Sequence, residues 1–217
     1  MDAWYSEIAD YDFNYQGFSM DTGHFTQVVW NSSNKLGMGL AFGSGRLYCV
    51  GQYSPAGNYD DEYETNVFPI GYKTPAPKTT KATATTKAPA TTTKTGTTTK
   101  ASVTTKAAAT TKAAATTTTT KSSATFSSVT TECIAAFRAA ALSQHNTLRA
   151  KHSAQAMTQD SVVDSSALAY AKYLASSGTF DHSDGDYGEN LYYETFKSGL
   201  SLDICKSNNI FSFLFNI

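Results

Sequence analysis

The sequence predicts an α/β protein made of two folding segments held apart by a disordered linker. Three observations carry this. Residues 73–131 hold 25 Thr, 13 Ala and 9 Lys among 59 residues, with no Asp or Glu and almost no large apolar side chain. Such a stretch cannot offset its ordering entropy by burying apolar surface. The segment before it, 1–72, carries short strand-like apolar runs. The segment after it, 132–207, carries apolar residues at helical spacing.

The first segment opens on Trp4, Ile8 and Tyr11, spaced i, i+4 and i+7, which share a helical face. An aromatic loop follows, with Tyr11, Phe13, Tyr15 and Phe18 around Gly17. Three strand-like runs come next: Phe25–Trp30, Leu36–Phe42 and Leu47–Tyr53. Gly43-Ser44-Gly45 between the last two reads as a hairpin turn. Pro55 and Gly57 then end the third run.

In the last segment Ile134, Phe137, Ala141, Leu148 and His152 lie along one stripe of a helix that Thr131 could cap. A second helix, about Val162 to Ser177, aligns Val163, Ala167, Leu168, Ala171 and Leu174, and Gly178 is placed to end it. A polar loop runs from Thr179 to Leu191. The tail 208–217 is apolar without a period.

Charge and cysteine content exclude several classes. Without the linker's 9 lysines the chain has 8 basic against 18 acidic residues. An acidic folded part argues against a nucleic-acid groove. No run of 18 apolar residues suggests a transmembrane helix. Three cysteines, Cys49, Cys133 and Cys205, are too few for a disulfide-stapled miniprotein. Residues 1–5 show no signal-peptide pattern. The Thr-rich linker with Pro75, Pro77 and Pro89 has the composition of an O-glycosylated stalk or of a plain flexible spacer. Asn31-Ser32-Ser33 is an N-glycosylation sequon, which fits secretion.

Of the four histidines, His145 and His152 read as exposed or capping positions of the first long helix. His24 and His182 each follow a polar turn with a carboxylate nearby, and Glu7 could reach the same face. Two imidazoles and two carboxylates form a set that binds a divalent cation or moves protons. No H-E-x-x-H or C-x-x-C motif accompanies them.

Several motifs resemble the CAP superfamily of cysteine-rich secretory proteins, antigen 5 and pathogenesis-related 1 proteins. Gly23-His24-Phe25-Thr26-Gln27-Val28-Val29-Trp30 and Gln52-Tyr53-Ser54-Pro55-Ala56-Gly57-Asn58-Tyr59 resemble its two signatures. His145-Asn146-Thr147-Leu148-Arg149 resembles its first helix. His182-Ser183, Gly188-Glu189-Asn190-Leu191 and Trp4-Tyr5-Ser6-Glu7 resemble its remaining motifs. The order differs from the family's. Residues 1–72 resemble the C-terminal half of one domain and 132–207 the N-terminal half. Either the chain is a fragment of a tandem protein, or the halves dock into one permuted domain.

Docking is the lower-energy arrangement. The 59-residue linker spans roughly 45 Å r.m.s., against a domain radius near ~15 Å. Its closure costs about 3–4 kcal/mol beyond a constant. Each large side chain buried in the completed core contributes about 1.5–3 kcal/mol. The halves are expected to meet within the chain or by swapping between two chains, with 25–30 touching the 162–177 helix or the 179–191 loop.

The resemblance implies an α-β-α sandwich with three antiparallel strands between helices. It also implies a cleft tetrad of Glu7, His24, His182 and Glu189, in which His24 and His182 would hold zinc or another divalent cation. It implies a secreted, non-enzymatic module for a sterol, a fatty acid or a protein partner. The loop of Tyr11, Phe13, Tyr15 and Phe18 resembles the one sterol-binding relatives use. Metal-assisted hydrolysis in the same cleft, or display on a stalk, are the alternatives. Cys49 sits four residues before Tyr53, where many secreted relatives have Cys two residues before, and the usual disulfide set is absent. The stretch Tyr63–Pro69 looks more like the single-domain, Golgi-associated branch.

Overall fold

The computed structural model describes residues 4–73 and 131–195. Nearly all of the linker and the whole 208–217 tail lie outside them. In chain order the elements are a 3₁₀ turn Ser6–Asp10, α1 Gly23–Val29, β1 Lys35–Gly43, β2 Arg46–Ser54, α2 Tyr63–Asn66, α3 Thr131–Lys151, β3 Thr158–Gln159, α4 Ser161–Ser177 and β4 Gly188–Thr195.

One sheet of order β3-β1-β2-β4 draws strands from both sides of the linker. β1 and β2 form an antiparallel hairpin, and β2 pairs antiparallel with β4. The short β3 runs parallel to β1. The hairpin turn is the two residues Ser44 and Gly45, both at positive φ (52° and 74°). This is the conformation whose twist matches the flanking strands.

Both faces of the sheet are covered, so β1 and β2 are buried along nearly their whole length. Alternate residues nevertheless point to different layers. Leu36, Met38, Leu40, Leu47, Cys49 and Tyr53 pack with Phe25, Val28, Trp30, Phe137 and Leu148. On the other face Ala41, Tyr48 and Val50 pack with Ala167, Ala171 and Leu174 of α4. That is an α/β sandwich with α1 and α3 on one side and α4 on the other. The glycines of β1 set the spacing to α4. A Cβ on Gly37 would lie 2.2 Å from the Val163 carbonyl carbon, and one on Gly39 would lie 2.2 Å from the Ala167 oxygen. Only a residue without a side chain lets backbone meet backbone so closely.

The ends of α4 follow its sequence signals. Asp160 accepts hydrogen bonds from the Val162 and Val163 amides, and Gly178 ends the helix at φ 73°. Phe25–Trp30 is not a strand, since it lies in α1 and its C-cap. Every residue from Phe25 to Trp30 is buried, so the run carries no readable period. Tertiary contacts override its β-branched and aromatic composition: Thr26 bonds the Thr22 and Gly23 carbonyls and Asn58, and Gln27 bonds Ser33 and Gly57. The third antiparallel strand is instead β4, which begins inside the segment read as a loop. The opening turn around Ser6–Asp10 is 3₁₀ rather than α, though Trp4 and Tyr11 are both buried as their spacing suggested.

His145 and His152 are not exposed, contrary to the sequence reading. They are 1% and 0% accessible. They lie seven residues apart, His145 in α3 and His152 just past its end, both turned inward. The His145 ring bonds the Ala141 carbonyl through Nδ1 (2.8 Å) and the Tyr53 hydroxyl through Nε2 (2.9 Å). The His152 ring bonds the Phe68 carbonyl through Nδ1 and the Tyr5 hydroxyl through Nε2. Burial pushes the pKa of His145 down to about 4 and lowers that of His152. Both are neutral seams between α3 and the first segment. Arg149, between them, is fully buried and donates to the carbonyls of Val28, Trp30, Ser33 and Gln155 at 2.8–2.9 Å.

Candidate functional site

The four residues of the expected tetrad form two histidine–carboxylate pairs. In the first, Glu7 leaves the 3₁₀ turn and reaches the N-terminus of α1. Its Oε2 accepts the backbone N–H of His24 and of Phe25, each at 3.0 Å. Those are amides with no partner inside the helix, at the end where the dipole favours an anion. Its Oε1 lies 2.7 Å from His24 Nδ1. The Trp4 ring stacks on the His24 ring with planes 9° apart, and its indole N–H donates to the Leu191 carbonyl.

In the second pair Glu189, at the start of β4, accepts from four donors. Its Oε1 takes His182 Nδ1 (3.0 Å) and the Ser183 amide (2.9 Å). Its Oε2 takes the Ser183 hydroxyl (2.9 Å) and Gln52 Nε2 (3.0 Å). Burial raises its pKa, but the hydrogen bonds, led by His182, outweigh that and hold the carboxyl below its usual range. The bond to Glu189 raises the pKa of His182 against the opposing effect of burial.

The pairs adjoin through Asn190, next in sequence to Glu189, whose Nδ2 donates to the His24 carbonyl (3.0 Å) and to the Tyr53 hydroxyl (3.1 Å). Gly188 packs directly on the Gln27 side chain of α1. Each pair thus belongs to one segment, and Gln52 and Asn190 tie the segments together. In both histidines Nδ1 faces a carboxylate. The carboxylates are engaged in capping and bracing, and each fixes the orientation of its histidine ring. Among the described residues, no group of three or more His, Cys, Asp and Glu is arranged to hold a metal ion.

The family model for cysteine-rich secretory proteins, CAP, matches residues 1–53 and 142–210. The chain belongs to this family. It is 48% identical over 71 residues to the human (Homo sapiens) Golgi-associated plant pathogenesis-related protein 1, covering 31% of this chain and 46% of that protein. It is 44% identical over 72 residues to Protein PRY2 of Saccharomyces cerevisiae, covering 32% and 22%. A salivary antigen-5 of Dipetalogaster maximus is 40% identical over 62 residues, covering 26% and 24%. The chain therefore spans less than half the length of each of these CAP relatives.

The aromatic loop divides in two. Tyr11 is buried, and burial lifts its phenol pKa to about 12. The Phe13 ring packs against Tyr11, Phe25 and His152. Tyr15 and Phe18 are instead 87% and 53% exposed, and Met20 beside them is 82% exposed. The first two rings anchor the loop and the rest present an apolar tip. Met20, which an aromatic-only reading misses, lies two residues after Phe18 and is likewise exposed. Asn31 of the sequon is half-buried, with Oδ1 accepting the Gln155 amide. Cys49 is a free, buried thiol whose pKa burial raises, and Cys133 is disulfide-bonded.

Proposed function

We propose that this CAP-family chain is a secreted binding module for an apolar ligand, a sterol or a fatty acid, taken up at the Tyr15–Met20 tip. The observation that carries this is the exposure of Tyr15, Phe18 and Met20 on a loop pinned to the core by Tyr11 and Phe13. Large apolar groups facing water on one loop cost free energy unless a partner covers them, and rings on an anchored loop lose little freedom on binding. Secretion draws support from the family description and from relatives named salivary antigen-5 and cysteine-rich secretory protein 3. The test is binding of labelled cholesterol and palmitate to the purified chain. A Tyr15→Ser, Phe18→Ser, Met20→Ser variant should keep its fold and lose binding. Retained binding in that variant would reject the tip as the site.

The same reading gives the cleft a divalent cation, held through Nε2 of His24 and of His182. The cation would supply charge to polarise or position a ligand. Glu7 and Glu189 would fix the ring orientations. Calorimetric zinc titration should show one-to-one binding lost in His24→Ala and in His182→Ala alike. Unchanged binding in either variant would separate the two histidines. A hydrolytic role finds less support, because the Ser183 hydroxyl donates to Glu189 rather than to an imidazole that could activate it.

A further inference from the structure

The sequon Asn31-Ser32-Ser33 lies in the turn that follows α1. We propose that Asn31 carries an N-linked glycan, added while the chain is being made and closed to addition once α3 has docked. This rests on the secreted reading above, because the donor, an oligosaccharide on a polyprenyl pyrophosphate, is met in the secretory lumen. Asn31 is placed for the modification. It is half-buried, and its Oδ1 accepts the Gln155 amide (3.1 Å) in an exposed hydrogen bond. Its Nδ2 has no hydrogen-bond partner among the described residues and is not sealed from solvent. In the transfer Nδ2 bonds to the anomeric carbon of the sugar and gives up one proton. The bond from that carbon to the pyrophosphate oxygen breaks, and its electron pair leaves with the pyrophosphate. The product keeps Oδ1 and one N–H, so the bond from Gln155 survives. The glycan then stands at the rim where the two segments meet.

Ser33 sets the timing. Transfer needs the hydroxyl two residues beyond the asparagine, which is why the acceptor sequence ends in Ser or Thr. In the folded chain Ser33 is 0% accessible. Its hydroxyl donates to the Pro55 carbonyl (2.8 Å) and accepts from Gln27 Nε2 (3.2 Å). Its amide closes a turn onto the Trp30 carbonyl (3.2 Å). A sequon held this way offers an enzyme neither an extended backbone nor its hydroxyl. The lock comes from beyond the linker. Arg149 of α3 donates to the carbonyls of Trp30 and Ser33, each at 2.8 Å, and of Asn31 at 3.4 Å, so one side chain gathers the whole turn. Arg149 lies 116 residues after Ser33 in the chain. At about 5–20 residues per second the sequon waits roughly 6–23 s before Arg149 is made. A domain with α3 ahead of the sequon would have no such wait.

The experiment gives the full chain a cleavable signal sequence, so its outcome does not depend on whether the natural chain is secreted. Translated into microsomes, the chain should gain the mass of one glycan, removed by N-glycosidase and absent in Asn31→Gln. In a second arm, refolded wild type and Arg149→Met made in bacteria are each given purified oligosaccharyltransferase and lipid-linked oligosaccharide. Arg149→Met should be modified, and the folded wild type at least about tenfold more slowly, since a buried acceptor reacts only through opening. The glycosylated chain should melt no lower than the refolded chain without a glycan. A chain left unmodified in microsomes that modify a control glycoprotein would overturn the proposal. So would transfer that does not differ between folded wild type and Arg149→Met, or a Tm lowered by the glycan.

Discussion

The four histidines make two contrasting regions from one side-chain type. His145 and His152 lie in the seam between α3 and the first segment, neutral and closed off by a hydroxyl on one nitrogen and a carbonyl on the other. His24 and His182 stand at the surface, with side chains 32% and 62% exposed, each held by a carboxylate at Nδ1. Burial depresses the imidazole pKa in the seam, and the carboxylate raises that of His182 at the surface. The surroundings, not the residue, decide the role. Burial makes a histidine into a neutral strut even though its bond to a carbonyl opposes this, whereas at the surface the Glu189 carboxylate favours the charged His182 ring.

The largest effect that sharpens this contrast is expected at the centre of the seam. Arg149→Met leaves the carbonyls of Val28, Trp30, Ser33 and Gln155 without their donor. The loss should be at least about 4 kcal/mol. Urea denaturation would detect it as a collapsed midpoint, and a loss under about 1 kcal/mol would mean the carbonyls find other partners.

Acid should act next. The pKa of His145 is depressed to about 4 in the folded state, so the unfolded chain takes up its proton first as pH falls. Its contribution is fully present above the ordinary value of about 6.5 and is lost between there and about 4. That amounts to about 3 kcal/mol over the window. The Tm measured from pH 7 down to pH 4 should fall accordingly, and more gently in His145→Gln.

A change in the second region should cost less. Glu189→Ala removes the acceptor for His182, Ser183 and Gln52 and should cost about 1–2 kcal/mol, since the Ser183 and Gln52 donors lose a charged partner. His182→Gln, at a mostly exposed ring, should change stability by less than about 0.5 kcal/mol while still abolishing zinc binding. A large stability loss in His182→Gln with zinc binding intact would break the division of roles.

Much of this was legible in the sequence. Asp160 and Gly178 mark α4 because capping and left-handed backbone have local chemical signatures. The hairpin at Ser44-Gly45 follows from a turn that needs positive φ. The Glu7–His24 and His182–Glu189 pairs are legible through motifs rather than through spacing, because their members come from four separate elements. Helix α1 was not legible, since a short run buried on all sides has no period and its helical state depends on distant partners such as Asn58 and Gly57. The burial of His145 and His152 was hidden for a related reason. A stripe assigned from α3 alone cannot show that Tyr5, Tyr53 and Phe68 arrive to satisfy both ring nitrogens.

The division of the histidines is tested most directly by an NMR pH titration of their ring signals in the full chain. His145 should stay unprotonated down to about pH 4, while His182 titrates above the ordinary value of about 6.5. If His145 and His182 titrate together near that value, the buried seam and the surface pair are not different environments.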